Sequence, residues 1–149
     1  MKPYYEDASV QIYNADCRDV LPTLDKVDLV LTDPPYGVDL KTKTSDYRQS
    51  GHYDAGESLR ATVLYQDDEE TIRSLIREMM PVILDSADRA VVFPGVKMMW
   101  AYPEPKNVGC VYTAAGAGMS SWGFTCMHPV LFYGKDPYLA DGKGSMPNS

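Results

Sequence analysis

The tetrapeptide Asp33-Pro34-Pro35-Tyr36 places a carboxylate, two constrained carbonyls and an aromatic ring directly after the apolar run Leu29-Val30-Leu31. A residue before proline is driven to extended geometry, so Asp33 continues the line of the preceding strand and carries its carboxylate off the end. Each proline fixes φ near about −65° and lacks an N–H, which holds the Asp33 and Pro34 carbonyls in direction without a local donor competing for them. The set is suited to gripping an exocyclic amine of a nucleobase. Such a nitrogen is a poor nucleophile because its lone pair is delocalised into the ring. Two acceptors on its hydrogens, Asp33 Oδ and the Pro34 carbonyl, favour a pyramidal nitrogen aimed at an electrophile, by positioning and by transition-state electrostatics. Tyr36 supplies a stacking face for a base extruded from its duplex.

The elements that must position these residues follow from the pattern around them. Val27 to Leu31 reads as a strand buried on both faces, since a short apolar run bounded by turn signals suits a covered strand. Its carboxyl end is where open α/β sheets bind ligands. Upstream, Val10 to Tyr13 reads as a short strand and Cys17 to Leu24 as a short helix interrupted by Pro22. Downstream, Asp67 or Asp68 opens the best helix of the chain, with Glu69 and Glu70 in its first turn. Ile72, Leu75, Ile76, Met79 and Ile83 lie on one face, and Pro81 is expected to kink the helix. Its methionines suit core filling better than ligand contact. Arg89 to Phe93 reads as the next strand. Alternation of strand and helix predicts a parallel, right-handed, three-layer arrangement. Breaks fall at Gly109, Gly116, Gly118 and Gly123, and Val111 to Thr113 and Val130 to Tyr133 read as two further strands at an antiparallel end of the sheet. The glycines between them either admit a close ligand or form turns.

Asp33-Pro34-Pro35-Tyr36 resembles the catalytic motif IV of the DNA amino-methyltransferases, which transfer a methyl group from S-adenosylmethionine to adenine N6 or cytosine N4. The Asp form of the motif is that of the adenine enzymes; Ser is more usual for cytosine, and Asn for enzymes acting on RNA or protein glutamine. The stretch Tyr13-Asn14-Ala15-Asp16-Cys17-Arg18-Asp19-Val20-Leu21 is similar to the motif that precedes it in the circularly permuted, beta-type members, with Asn14 and Ala15 departing from the usual pair. Trp100 to Pro103, Ser121 to Cys126 and Leu131 to Pro137 resemble small phage and bacterial members of the group, less specifically. The resemblance implies an incomplete Rossmann-like methyltransferase sheet and catalytic roles for Asp33, Pro34, Pro35 and Tyr36. It also implies an S-adenosylmethionine-binding role for Asp16, Cys17 and Asp33, and DNA with a flipped adenine as substrate. It stops short of the family's length. Neither the Gly-rich Phe-x-Gly-x-Gly motif nor the acidic ribose-binding motif follows, and Phe93-Pro94-Gly95-Val96-Lys97 has the wrong glycine spacing to replace the former. The 149 residues then correspond to the catalytic half of such a domain, with a second chain or a further C-terminal segment completing the cofactor site.

Each of these residues also has a plainer use. Asp-Pro-Pro ends many strands as a simple turn. Asp16, with Asp19 three residues on, is equally an ordinary helix start, one carboxylate capping free N–H groups and the other favouring the positive helix end. Two other functions stay open on sequence: a non-catalytic nucleic-acid-binding or partner-binding remnant, supported by the missing Gly-rich loop, and an enzyme of the same fold acting on RNA.

Composition narrows the setting. At 149 residues and 44% hydrophobic the chain suits one globular domain. It has no apolar stretch near about 18 residues and no apolar core behind its first residues, so a cytoplasmic protein without a membrane segment is expected. Cys17, Cys110 and Cys126 form no CxxC pair, and with His52 and His128 they indicate neither a disulfide framework nor a metal site. The net charge of −7 runs against a basic DNA-binding surface. Lys41, Lys43 and Arg48 are the nearest cations to the motif, though Asp39, Asp46 and Asp54 among them equally make this a solvated loop. Residues 38 to 66 carry no sustained period and read as a mobile flap over the site, in which Tyr47 and Tyr53 either stack on bases or cover apolar surface. Residues 138 to 149 read as a frayed end.

Overall fold

The structure is a computed structural model that describes residues 1–38, 67–114, 118–120, 122–136, 138 and 141–143. The expected flap, apart from Val38, lies outside the described residues, and so do Lys41, Lys43, Arg48, Tyr47, Tyr53 and most of the expected frayed end. The architecture is mixed α/β. Strands β1 (Tyr5–Glu6) and β2 (Gln11–Ile12) form a small antiparallel pair, followed by helix α1 (Cys17–Val20) and a 3-10 turn over Leu21–Thr23. Strand β3 (Val30–Thr32) leads to the Asp33 turn. Helix α2 (Glu69–Ser86), strand β4 (Arg89–Val92), helix α3 (Gly95–Met98) and strand β5 (Asn107–Tyr112) come next. A hairpin of β6 (Gly118–Ser120) and β7 (Gly123–Thr125) then leads into β8 (Met127–Gly134).

The main sheet has the order β3-β4-β8-β5. β3 and β4 are parallel, with Val30, Leu31 and Thr32 opposite Ala90, Val91 and Val92. β8 is antiparallel to β4 on one side and to β5 on the other. The antiparallel strand therefore sits inside the sheet rather than at its end, and β5 runs in the same direction as β3 and β4. Leu131 faces Val92, the last residue of β4, and also Val108. Gly109 to Tyr112 and the paired Met127 to Val130 thus run on past the carboxyl end of β4 as a two-stranded ribbon.

The core forms where α2 lies on this sheet. Asp68 caps the helix, accepting from the Thr71 N–H at 3.0 Å, and Glu69 and Glu70 follow at its positive end. Ile72, Ile76, Met79, Met80 and Ile83 recur at helical spacing and pack with Ala90, Val92, Leu131 and Tyr133. Pro81 falls on the exposed side of α2, which continues to Ser86.

Besides the place of the antiparallel strand, three expectations are corrected. The strand before the motif is not covered on both sides: Val30 packs against the core, but Leu29 is 49% and Leu31 65% exposed on the opposite face of a strand that also lies at the edge of the described sheet. The strand expected at Val10 to Tyr13 shrinks to Gln11–Ile12 and pairs with β1, so it adds nothing to the parallel sheet. Gly109 is no break but a residue within β5. A Cβ there would come 2.9 Å from Cε2 of Phe132, whose ring occupies the space. No helix among the described residues is long and apolar enough to cross a membrane.

Candidate functional site

The parallel pairing of β3 and β4 brings two turns together at their carboxyl ends. The Phe93 N–H donates to the Thr32 carbonyl at 3.0 Å, so Asp33-Pro34-Pro35-Tyr36 lies beside Phe93-Pro94-Gly95. Asp33 is exposed, while Pro34, Pro35 and Tyr36 are half-buried. Tyr36 Oη donates to Asp33 Oδ1 at 2.5 Å, which orients the carboxylate. Burial first, and then the bond to Asp33, push the Tyr36 hydroxyl up to about 12, so it stays a donor at neutral pH. A carboxylate accepts through both oxygens, so this bond leaves capacity for a donor from a substrate.

Tyr36 owes its place to Gly95. The Gly95 backbone lies so close to the ring that an added Cβ would stand 2.7 Å from Tyr36 Cδ1, and its φ of +64° is one that side chains rarely adopt. The ring is therefore backed by protein as well as tied to Asp33 through its hydroxyl. Tyr102, buried in the core, carries a hydroxyl without a hydrogen-bond partner among the described residues. Burial, then Tyr133, Asp33 and Tyr36, raise its pKa.

The residues at the start of α1 meet the motif across an open cleft of about 920 Å³. Its walls are Asp16, Cys17 and Arg18, then Pro35, then the first three turns of α2. Asp16 acts as the helix cap, accepting from the Arg18 N–H at 2.9 Å, and also holds the Arg18 guanidinium at 2.7 Å. The Arg18 side chain and backbone N–H hold its carboxyl down to about 2. Capping and a place in the cleft wall therefore coexist in one residue. Arg18 reaches on to Glu78 of α2 at 3.4 Å, spanning the cleft. Cys17 is an exposed free thiol on the same wall.

The cleft joins Asp16, Cys17 and Pro35. Asp33 and Tyr36 are not part of its wall but adjoin it through Pro35. Among the described residues, four that line it are acidic (Asp16, Asp68, Glu70 and Glu78) against one cation, Arg18. Such a cleft attracts a positively charged ligand and repels phosphate. Among the described residues, no group of three or more His, Cys, Asp and Glu is placed to hold a metal ion.

Sequence reasoning missed three participants. Asp67 and Asp68 read as interchangeable helix starts, yet only Asp68 caps; Asp67 turns inward and accepts from the Gly37 N–H at 2.8 Å. Of the acidic helix start, Glu70 also lines the cleft, joined by Glu78 two turns on, while Glu69 pairs instead with Lys97 and Arg73. Lys97 carried no signal, and it binds the Gly37 carbonyl. No protein-family model, curated protein or solved structure matches the chain.

Proposed function

We propose that this chain is the catalytic half of a DNA amino-methyltransferase that acts on adenine N6, with β3, β4, β8 and β5 forming part of a Rossmann-like sheet. One observation carries the reading: Asp33-Pro34-Pro35-Tyr36 ends a parallel strand beside an acidic cleft whose opposite wall holds Asp16 and Cys17. Ligands of α/β sheets lie at such strand ends. The cleft chemistry fits S-adenosylmethionine, whose sulfonium and ammonium groups are cationic, with Asp16, Cys17 and the α2 carboxylates as its holding residues. When bound, that group supplies an electrophilic methyl. A second chain or a further segment bearing a Gly-rich loop completes its site.

The protein's own part is to hold the base. Asp33 and the Pro34 carbonyl accept the two amine hydrogens, and Tyr36, backed by Gly95, lies against the ring. The amine becomes acidic only as the new bond forms, so Asp33 receives its proton late and need not act as a base beforehand. An anionic duplex is repelled by the acidic cleft. The β5–β8 ribbon carries neither that repulsion nor any cation to neutralise phosphate, because residues 107–134 contain no Asp, Glu, Lys or Arg, so the completing segment supplies the phosphate contacts. A cytoplasmic setting, where both DNA and cofactor are present, belongs to the same proposal.

Calorimetric titration of S-adenosylmethionine into the 149-residue chain tests the reading. Binding in the micromolar range would show that the cleft holds the cofactor without the completing segment; no heat at millimolar cofactor even with that segment present would remove the cofactor-side role of the cleft. The bare outer side of β3 favours a second reading, a partner-binding remnant that does not catalyse, and absence of binding would leave that one standing.

A further inference from the structure

We propose that Asp67 and Lys97 are positioning residues for the Asp33 turn, acting as a clamp on both peptide groups of Gly37. The Gly37 N–H donates to Asp67 Oδ1 at 2.8 Å, and Lys97 Nζ donates to the Gly37 carbonyl at 2.7 Å. The two side chains come from different elements, Asp67 from just before α2 and Lys97 from α3. Gly37 itself has φ +62° and little room: an added Cβ would stand 3.1 Å from Met98 Sδ and 3.2 Å from Glu69 Cα. Direction and depth of the backbone are thus both set one residue after Tyr36, whose hydroxyl orients Asp33.

The chemistry of the clamp shows that it does more than fill space. Asp67 is only 6% exposed, and a buried carboxylate costs far more than an apolar side chain of the same size unless its hydrogen bond is needed. The helix cap is not that need, since Asp68 already supplies it. Lys97 is in turn fixed by Glu69 at 3.1 Å, and Glu69 by Arg73 at 2.9 Å, so the cation is held on the carbonyl by two further residues of α2. Together these contacts make the position of the Asp33 turn depend on how α2 and α3 are set. The catalytic consequence rests on the function proposed above; the positional one does not.

Two readouts separate those parts. Gly37 amide exchange and its carbonyl 13C shift report the clamp directly. Steady-state methyl transfer to duplex DNA, with the completing segment present, reports its effect. Asp67→Ala is expected to lower protection of the Gly37 amide at least tenfold, whereas Asp67→Asn, which still offers a carbonyl oxygen, retains it. Lys97→Met is expected to shift the Gly37 carbonyl resonance. A displacement of about 1 Å at a reacting group can cost on the order of 100-fold in rate, so the same variant should lower kcat by tenfold or more with KM for the cofactor little changed. Lys97→Arg should restore both. If burial of Asp67 makes its alanine variant fail to fold, the half-exposed Lys97 pair decides alone. Unchanged Gly37 exchange and carbonyl shift across these variants would overturn the clamp. Normal kcat with a shifted carbonyl would overturn its catalytic role. Loss of transfer by the wild-type assembly would instead overturn the function, and with it that role, while exchange still reads the positional claim.

Discussion

The two sides of β3 are built alike and live differently. Val30 points into the core beneath α2, and Leu31, its neighbour in sequence, is 65% exposed on the opposite side. Successive residues of a strand alternate between faces, so one short apolar run serves both. The sealed side packs against the core cluster that includes Ile72, Ile76 and Met98 from this chain. The bare side belongs to a strand that is, among the described residues, an edge, and an edge strand with exposed apolar side chains invites another chain or segment. The difference teaches that apolar composition states a demand for cover without saying which part of the molecule meets it. Asp33 stands at the end of the strand where the two sides meet.

That contrast can be broken from its end, its sealed side and its bare side. On the proposed function the largest effect is expected from Asp33→Ala, which should cut methyl transfer by about 100-fold or more by removing an acceptor that the proposal places in the transition state. Because Asp33 is exposed, the thermal midpoint should move little; a labelled-methyl assay beside calorimetric melting checks both. On the sealed side, Met98 is fully buried, and Met98→Ala should cost about 2–5 kcal/mol by lost transfer energy and the cavity left behind. Urea unfolding measures it.

Acid should loosen the cleft before the core. The Asp16 carboxyl is held down to about 2, so its capping contribution is fully present above its ordinary value of about 3.9 and is lost as pH falls through the folded value. Between roughly pH 4 and pH 2, the Arg18 amide resonance should shift, and it should not do so in Asp16→Asn. The smallest effect on stability is expected on the bare side: Leu31→Thr should change unfolding free energy by no more than about 0.5 kcal/mol. It should nonetheless reduce association through the edge, which light scattering across a concentration series would show. A large loss of stability there would mean that the exposed side is not bare in solution.

Much of the frame was legible because it rests on short-range physics. Two prolines ended the strand where expected, and the spacing of Ile72, Ile76, Met79 and Ile83 placed the buried face of α2 within a residue or two. The helix start at Cys17 was equally local, although the α-helix ends at Val20 and Pro22 falls within the 3-10 turn that follows rather than interrupting a helix to Leu24. What failed was of another kind. Asp67 and Asp68 are indistinguishable as cap formers until the fold turns one toward Gly37. Gly109 looked like a break because nothing near it in sequence indicates the Phe132 ring it accommodates. The position of β8 between β4 and β5 is a matter of which strands meet, and alternation along the chain does not rank neighbours.

The chain's order of residues by itself determined the chemistry at the end of β3, the cap and apolar stripe of α2, and the acidity that sets this protein apart from a basic DNA binder. Those follow from backbone restriction, helical period and charge, which act over a few residues or over the whole composition. Only the tertiary structure decided that Asp16 and Cys17 face Pro35 across one cleft, that β3 is an edge, and that Lys97 reaches Gly37. Each depends on groups separated by tens of residues, and those are brought together by burial of the α2 face on the sheet.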